Sequence, residues 1–293
     1  MIETREIKPG FAAELVGVDL RVPPTPAIVE AIEDAITRYP VLVLHGQDLT
    51  NEQQIAFMQP FGDLQDSVAY LTNKEGLKRL PELMTDASNI GEDAKTFGAG
   101  DARRMNNLGS RRWHTDQSFR RRPVKYSLLC ARTVVKQGGE TQFADMRAAY
   151  DALPDELRGR IDDLVIEHSL LNSRKNVGFT DATELEKAKL ASVHQRLVRR
   201  HPRNGRRSLY LSSHAAHVVG WPLPEGLDLL YELTDRATQP DFVYTHTWKL
   251  YDAVLWDNRV TMHRARRHVP ETDPRDMRRV SVLDDDNTLA LPA

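Results

Sequence analysis

Short β-branched and aromatic runs, separated by turn residues, recur along this chain without regular alternation with helices. Three apolar stripes at helical spacing begin at Pro26, Pro154 and Pro224. Regular alternation would favour a parallel sheet, and a glycine-rich phosphate loop would favour a nucleotide fold, but the sequence has neither. It therefore predicts a mainly β protein with flanking helices, folded as an antiparallel double-stranded β-helix, or jelly roll. The predicted strands are residues 41–44, 126–135, 141–144, 208–212, 242–248, 253–256 and 280–283, with Gly138 and Gly139 as a tight connection.

The overall composition restricts the classes of partner. A chain of 293 residues fits a single domain over residues 1–293, because β-sandwiches and barrels often reach this size. The formal net charge of −2 gives no indication of a nucleic acid or an anionic membrane as partner. No apolar run is long enough to cross a membrane, and the N-terminus lacks the pattern of a secretory signal. We therefore expect a cytoplasmic protein.

The chain has one cysteine, Cys130, and therefore no internal disulfide, which fits a reducing cytoplasm. Its neighbours form an apolar run over residues 126–131. That setting predicts a buried small hydrophobe rather than a nucleophile.

Two long polar segments, 66–112 and 172–194, lack a clear hydrophobic period. Segments of this kind in a compact domain are either lids over a site or plain surface loops. Both interpretations stay open at this point, and both segments flank the residues described next.

The most informative motif places His114 and Asp116 two residues apart, in the segment Trp-His-Thr-Asp-Gln-Ser-Phe at 113–119. On a strand, residues two apart point to the same face, so one imidazole and one carboxylate converge on a single point. A third ligand from a distant strand would complete the two-histidine, one-carboxylate triad of non-haem Fe(II) oxygenases. The motif is weak alone, since ten histidines and 42 acidic residues predict roughly one accidental match.

Two further segments add to this motif. An apolar strand ends in Trp-Asp-Asn-Arg at 256–259, and His263 follows at the start of another strand-like run. A basic segment, Arg-Asp-Met-Arg-Arg at 275–279, leads into the last predicted strand. A guanidinium can bind a carboxylate through two parallel hydrogen bonds, which suits an anion site. A solvated run of charge is the alternative for these arginines.

In combination, these segments resemble the taurine/2,4-dichlorophenoxyacetate dioxygenase family. The resemblance rests on Trp-His-Thr-Asp at 113–116, Gly-Gly-Glu-Thr at 138–141, residues 143–150, Trp-Asp-Asn-Arg at 256–259, His263 and Arg275. The matching pieces are spread over nearly the whole chain. Residues 145–153 and 256–259 are most similar to the branch of the family that cleaves phenoxyacetates.

The resemblance implies an iron centre and a cosubstrate site. His114, Asp116 and His263 would bind Fe(II), with 2-oxoglutarate and O2 as cosubstrates. Thr141 would hydrogen-bond the 2-oxoglutarate, and Arg275 would bind its distal carboxylate. Arg266 and Arg267 are the alternatives for that second role.

The resemblance also implies a site for a small anionic substrate. Arg279 lies four residues beyond Arg275, and an even spacing on a strand returns to the same face. It could therefore face the same pocket, and the resemblance implies that it helps bind the anionic end of the primary substrate. Further candidates for substrate contacts are Ser110, Asn107, His201, His214 and His217, with surface or structural roles as the alternative for the histidines.

The implied reaction is the hydroxylation of a C–H bond coupled to the conversion of 2-oxoglutarate to succinate and CO2. With a phenoxyacetate such as 2,4-dichlorophenoxyacetate, the products would be a phenol and glyoxylate. The same chemistry on taurine, an alkyl sulfonate or a sulfate ester is an alternative, since arginine binds all these anions. A zinc hydrolase and a non-catalytic jelly-roll binding module are alternatives of other classes. The family also suggests a homo-oligomer.

Overall fold

Strands dominate the structure, as the sequence predicts. The structure is a computed structural model that describes residues 2–71, 79–98 and 100–290. All seven predicted strands overlap a strand in these ranges. The strands are β1 Glu3–Lys8, β2 Ala12–Val16, β3 Val41–Leu44, β4 Thr85–Asp86, β5 Val124–Thr133, β6 Thr141–Asp145, β7 Val165–His168, β8 Val193–Arg196, β9 Val198–Arg200, β10 Arg207–Leu209, β11 Ala215–Val218, β12 Val243–His246, β13 Ala253–Asp257, β14 Thr261–Ala265 and β15 Asp276–Leu283.

Helices flank these strands. The first helix begins at the predicted Pro26, where the Thr25 hydroxyl caps it by accepting from the Ile28 amide. The second predicted helix is shorter than its apolar stripe, because Val165 already belongs to β7. The helices are α1 Pro26–Arg38, α2 Asn51–Met58, α3 Val68–Leu71, α4 Ala102–Leu108, α5 Met146–Asp151, α6 Asp155–Ile161, α7 Leu170–Lys175, α8 Glu184–Lys189 and α9 Leu223–Ala237.

Two facing sheets form the framework for the site. The large sheet has seven strands in the order β1-β2-β3-β13-β5-β15-β4, and the small one has the order β12-β6-β14. Neighbouring strands in both sheets are antiparallel, except for the parallel pair β2 and β3. This arrangement, with helices around it, confirms the predicted fold class. Gly138 and Gly139 connect β5 to β6, and so carry the chain from one sheet to the other.

The alternation of side chains along β3 shows where the core lies. Leu42 and Leu44 pack into the cluster that includes the buried faces of α1 and α2. Val41 and Val43 point the other way, into the space between the sheets, where they pack with Phe143 of β6. Because both faces of this strand are covered, its sequence is a continuous apolar run.

The two polar segments contain short elements rather than unstructured loops. The first carries α3, β4 and α4, and the second carries the end of α7, all of α8 and the start of β8. Residues 72–78 and 99 of the first segment lie outside the described residues. Whether either segment closes over a site stays a prediction.

None of the helices in the described ranges is both long enough and apolar enough to cross a bilayer. Cys130 lies in β5 and is fully buried, as predicted, and burial raises the pKa of its thiol to about 12.

We expect Gly138→Ala to destabilise the fold strongly. Gly138 has a φ of +76°, and an added Cβ would lie 2.4 Å from the Arg267 carbonyl oxygen. Gly205 is a matched control, because its φ is +68° but an added Cβ meets no atom within 4 Å. Urea unfolding should show a loss of about 1 kcal/mol for Gly205→Ala from the left-handed backbone alone. The loss for Gly138→Ala should be about 2–4 kcal/mol, since a clash with backbone is added. Equal losses would contradict this account.

Candidate active site

A pair of main-chain hydrogen bonds brings two predicted metal ligands together. The His114 amide donates to the His263 carbonyl at 3.0 Å, and the His263 amide donates back to His114 at 2.8 Å. His263 lies on β14, whereas His114 forms only an isolated bridge to it. The prediction that His114 and Asp116 share a regular strand is therefore wrong. Asp116 lies in the turn that follows. The next residue, Gln117, has a φ of +46°.

The three side chains form a compact donor set. One ligand atom from each of His114, Asp116 and His263 lies within 4.8 Å of the other two. Asp116 Oδ1 is 3.9 Å from His114 Nε2 and 3.6 Å from His263 Nε2. Two imidazole nitrogens and one carboxylate oxygen suit a divalent transition metal, and this set leaves further coordination positions open. These residues therefore fit the iron that the resemblance implies.

The histidines hold the protonation state that metal binding requires. Burial lowers the pKa of His114, and burial together with the neighbouring His114 lowers that of His263 well below its usual value. Both rings are therefore neutral at physiological pH, as ligands must be. His114 Nδ1 also donates to the Arg112 carbonyl at 2.8 Å, which leaves the lone pair on Nε2.

A buried hydrogen-bond network orients the carboxylate of Asp116. The Ser127 hydroxyl donates to Asp116 Oδ2 at 2.8 Å, and Asn258 Nδ2 donates to that hydroxyl at 3.0 Å. Asn258 Oδ1 accepts from the Asp116 amide at 3.2 Å and from Trp256 Nε1 at 3.0 Å. Ser127 and Asn258 are fully buried. They hold Oδ2 away from the histidines, so that Oδ1 faces them.

The sequence motifs do not reveal that Ser127 and Asn258 orient Asp116. Asn258 lies inside the motif at 256–259, and Ser127 is the one aliphatic hydroxyl in the apolar run 126–131. A single polar residue in a buried strand is a usable signal, because a buried hydroxyl needs a hydrogen-bond partner.

Arg279 reaches the metal centre from β15. Its Nη1 donates to Asp116 Oδ1, the same oxygen that faces both histidines. Burial alone would raise the pKa of Asp116, but Arg279 and the two imidazoles outweigh burial and hold it below its usual range. The carboxylate therefore stays ionised.

Arg275 lies on the cavity wall without an acidic partner among the residues that the structure describes. Its guanidinium donates only to backbone, to the Ala87 carbonyl at 3.2 Å and the Gly139 carbonyl at 3.4 Å. Burial lowers its pKa to about 10, so it keeps its charge at neutral pH. An enclosed cation of this kind is suited to a carboxylate ligand. Thr141, whose hydroxyl accepts from Trp248 Nε1 at 3.0 Å, lines the same cavity.

The two alternatives to Arg275 are placed differently. Arg266 and Arg267 are exposed, and Arg267 pairs with Glu271 at 3.1 Å. Neither lines the main cavity, so the geometry favours Arg275.

A cavity of about 370 Å³ lies over the metal centre, within the size range of small-molecule sites. Its walls come partly from the two polar segments of the sequence. Apolar and aromatic side chains contribute much of its lining, among them Ile90, Phe97, Phe119, Leu170, Val177 and Phe179.

The structure separates the predicted substrate contacts into two groups. The contacts of Ser110, Asn107 and His214 with a substrate stay a prediction, but all three residues line the cavity. His201 does not, because it lies buried against Asp257, with Nε2 3.1 Å from Oδ2, in an ion-pair network with Arg259. The prediction that His201 contacts the substrate is wrong, because its partners belong to a buried ion-pair network outside the cavity lining.

His217 is the second wrong prediction among the substrate contacts. It lies on β11, where it pairs with Glu167 of β7, and it is not among the residues that line the cavity.

Glu271 fastens the first polar segment beside the cavity. It lies between β14 and β15, and its carboxylate pairs with Arg104 of α4 and with Arg111 at 3.1 Å. Hydrogen bonds from Arg104, followed by those from Arg111, lower the pKa of Glu271 to about 2. This carboxylate therefore links α4 to the loop that carries Arg275.

Two facing antiparallel sheets that carry two histidines, one carboxylate and an enclosed arginine are typical of a non-haem iron oxygenase. Residues 3–281 match the family described as Taurine catabolism dioxygenase TauD, TfdA family. The chain belongs to this family, and it is a 2-oxoglutarate-dependent dioxygenase that uses Fe(II), 2-oxoglutarate and O2. This membership sets aside the zinc hydrolase and the non-catalytic module.

Three relatives are similar over most of their length. The alpha-ketoglutarate-dependent 2,4-dichlorophenoxyacetate dioxygenase of Cupriavidus pinatubonensis is 41% identical, over 95% of this chain and 96% of its own. The (S)-phenoxypropionate/alpha-ketoglutarate-dioxygenase of Sphingobium herbicidovorans is 36% identical, over 80% and 79%. The crystal structure of AAD-2 in complex with Mn(II) and N-oxalylglycine superposes with a TM-score of 0.90, at 48% identity, over 98% and 99%.

We expect Ser127→Ala to weaken metal binding about tenfold to a hundredfold, because Asp116 Oδ2 loses its orienting hydrogen bond. Calorimetric titration of the protein with Mn(II) measures this. Ser281→Ala is the control, since the Ser281 hydroxyl lies 3.1 Å from that of Ser127 and makes no hydrogen bond to Asp116. It should bind Mn(II) nearly as the unchanged protein does. Equal weakening in both variants would contradict a specific role for Ser127.

We expect Glu271→Gln to lower the free energy of unfolding at pH 7 by about 1–2 kcal/mol, because charged hydrogen bonds to arginines are lost. The folded pKa of about 2 lies below the ordinary value of 4.5, so this stabilisation is present above pH 4.5 and is lost as the pH falls towards 2. The difference between the two proteins in urea unfolding should therefore shrink from pH 7 to pH 3. Glu225→Gln, at an exposed position of α9, should show no such difference. A constant difference across this range would argue against the ion pairs.

Proposed function

We propose that this enzyme cleaves the ether bond of an aryloxyacetate, a phenoxyacetate such as 2,4-dichlorophenoxyacetate, to a phenol and glyoxylate. The observation that carries the proposal is a cavity whose lining combines an arginine in contact with the metal centre and several aromatic and apolar side chains. An aryloxyacetate has a matching shape, with a carboxylate at one end and an aryl ring at the other.

The distribution of charge supports two anionic ligands. Five arginines line the cavity. Arg79, Arg103 and Arg174 are paired with acidic residues that have no part in the metal centre. The other two differ, since Arg275 has no acidic partner in the described residues and Arg279 contacts the metal-ligand candidate Asp116. One anion for each fits a 2-oxoglutarate at Arg275 and a substrate carboxylate at Arg279.

The relatives support the aryl part of the substrate. The two similar enzymes described above are named for 2,4-dichlorophenoxyacetate and for (S)-phenoxypropionate. Phe97, Phe119 and Phe179 give this cavity the aromatic surface on which an aryl ring would pack.

The reaction divides between the cofactor and the side chains. When bound, the iron centre supplies the oxidation of a C–H bond, coupled to the conversion of 2-oxoglutarate to succinate and CO2. His114, Asp116 and His263 would hold the iron, while Thr141 and Arg275 would orient the cosubstrate. Arg279 would hold the substrate carboxylate, so that the adjacent methylene group lies towards the metal.

The atoms balance in this scheme. One oxygen atom of O2 enters the methylene group of the aryloxyacetate and gives a hemiacetal, and the other enters succinate. The hemiacetal then breaks the bond between its hydroxylated carbon and the aryloxy oxygen, and the hydroxyl proton passes to that oxygen, which leaves a phenol and glyoxylate. The apolar wall excludes water from the site while this occurs.

Three further expectations accompany the proposal. The segments 66–112 and 172–194 would close over the cavity, because Asn107, Ser110, Arg174 and Phe179 from these segments line it. A cytoplasmic location fits the single, fully buried thiol. A homo-oligomeric state rests on the family alone.

The proposal is tested with purified enzyme, Fe(II), ascorbate, labelled 2-oxoglutarate and O2. Succinate release is recorded with phenoxyacetates, phenoxypropionates, taurine and alkyl sulfates. We expect release to be coupled to phenoxyacetates, with a phenol formed in equal amount and no release by His114→Ala. Coupling to taurine or an alkyl sulfate instead would overturn the aryloxyacetate assignment and favour the sulfonate or sulfate alternative.

A matched pair of variants tests the two anion sites. Arg275→Gln should raise the KM for 2-oxoglutarate about tenfold or more, and leave the KM for the phenoxyacetate nearly unchanged. Arg279→Gln should show the reverse pattern. Because Arg279 contacts Asp116, Mn(II) binding is measured in both variants, and kinetics are compared at saturating metal. If both variants changed the same KM, the two arginines would not have separate ligands.

A further inference from the structure

A buried chain of hydrogen bonds runs from β7 to the cavity wall. His168 Nδ1 lies 2.9 Å from the Ser118 hydroxyl, and that hydroxyl lies 3.1 Å from His214 Nδ1. The Ser212 hydroxyl lies 2.9 Å from the same His214 nitrogen. His168 and Ser118 are fully buried, whereas His214 lines the cavity. These contacts determine which ring nitrogen of His168 and of His214 carries the proton.

The amides around Ser212 fix the direction of its hydrogen bond. Its oxygen accepts from the Thr115 amide at 3.2 Å and from the His214 amide at 3.3 Å. A serine hydroxyl has two acceptor lone pairs and one proton to donate. With both lone pairs occupied, Ser212 donates to His214 Nδ1, which must therefore carry a lone pair.

A ring that accepts a hydrogen bond at Nδ1 is neutral, and the hydrogen-bond geometry at Ser212 makes His214 such a ring. A neutral imidazole with an unprotonated Nδ1 carries its proton on Nε2. Among the described residues, none hydrogen-bonds that Nε2. His214 lines the cavity, and its ring centre lies 6.3 Å from that of His114, so this N–H is the donor that the ring can offer to a ligand there.

The opposite tautomer follows for His168. Since His214 Nδ1 only accepts, its one lone pair is shared by the Ser212 and Ser118 hydroxyls, and Ser118, whose single proton is then used, accepts from His168 Nδ1. His168 Nε2 is buried without a partner, which fits a bare nitrogen better than an N–H group. Burial lowers the pKa of His168 to about 3, so this ring is neutral as well. Every donor in the chain therefore points towards the cavity, and aligned hydrogen bonds strengthen one another.

We propose that His168, Ser118 and Ser212 act as positioning residues that lock His214 as a fixed N–H donor towards the substrate. A fixed donor in the cavity that Arg279 also lines selects a substrate whose group next to His214 only accepts hydrogen bonds, such as a carboxylate or ether oxygen. It disfavours an amine or another donor, which would leave two N–H groups facing each other. The selection of substrate rests on the proposed function, but the assignment of the tautomers does not.

The tautomers are read directly by two-bond ¹H–¹⁵N correlation spectra of histidine-labelled enzyme. Zn(II) in place of iron gives a diamagnetic sample, with 2-oxoglutarate present and no primary substrate. The spectra should show the Nε2–H form for His214 and the Nδ1–H form for His168, with signals assigned through His214→Gln and His168→Asn. The Nδ1–H form at His214, or the Nε2–H form at His168, would overturn the proposal.

Variants test whether the chain controls His214. The double variant Ser118→Ala/Ser212→Ala should give a mixture of His214 tautomers, and an unchanged Nε2–H form would overturn the lock. His168→Leu removes the donor to Ser118, whereas His168→Asn keeps an N–H group near the place of Nδ1. We expect the KM for a phenoxyacetate to be about tenfold higher in the Leu variant than in the Asn variant, with the same KM for 2-oxoglutarate.

Equal KM values for the phenoxyacetate in the two His168 variants would show a packing role only, and so overturn the positioning role. The tautomers are measured without primary substrate. Correct tautomers in an enzyme that does not turn over phenoxyacetates would therefore contradict the proposed function alone, while wrong tautomers in an active enzyme would contradict this inference alone.

Discussion

Two main-chain hydrogen bonds between His114 and His263 are the contact on which the metal centre depends. They fix a segment of irregular backbone to β14 and bring the two imidazole rings to a centroid distance of 4.2 Å. Backbone hydrogen bonds do not depend on side-chain identity, so the ligand geometry is set before any metal binds. The turn after His114 then brings Asp116 to the same point, where buried hydroxyl and amide groups orient it.

The charged residues around the cavity fall into two groups, those that form ion pairs within the fold and those that face the cavity. Asp257 and Arg259 form a fully buried pair behind the site, together with His201, and this pair fixes the turn from β13 to β14. Glu271 forms ion pairs with Arg104 and Arg111 beside the cavity. Of the arginines that line the cavity in the described part of the chain, Arg275 has no acidic partner and Arg279 contacts the metal-ligand candidate Asp116. Structural charges are thus neutralised locally, and the remaining positive potential is directed at small anions.

The sequence predicts the central strands well and the long-range contacts poorly. The strand β3 is recognisable because both of its faces are buried, whereas β4 has two residues at a sheet edge and leaves no apolar pattern. The metal-ligand candidates are recognisable from their residue types and from the family motif. The network around Asp116 is not, since Ser127 and Asn258 are 131 residues apart. The sequence around His201 does not reveal that its partner is Asp257, which lies far along the chain. A substrate contact and a structural role are therefore equally compatible with the sequence.

The burial of Cys130 has a practical consequence for experiments on this enzyme. It is the only thiol in the chain, it has no exposed surface, and its pKa of about 12 leaves almost no thiolate at neutral pH. Thiol reagents should therefore not react with the native protein. A cysteine introduced on the exposed side of α8 can then be labelled selectively with a fluorophore or spin label, without first removing a native residue. Whether the segment 172–194 moves over the cavity then becomes measurable in an enzyme that is changed at one surface position.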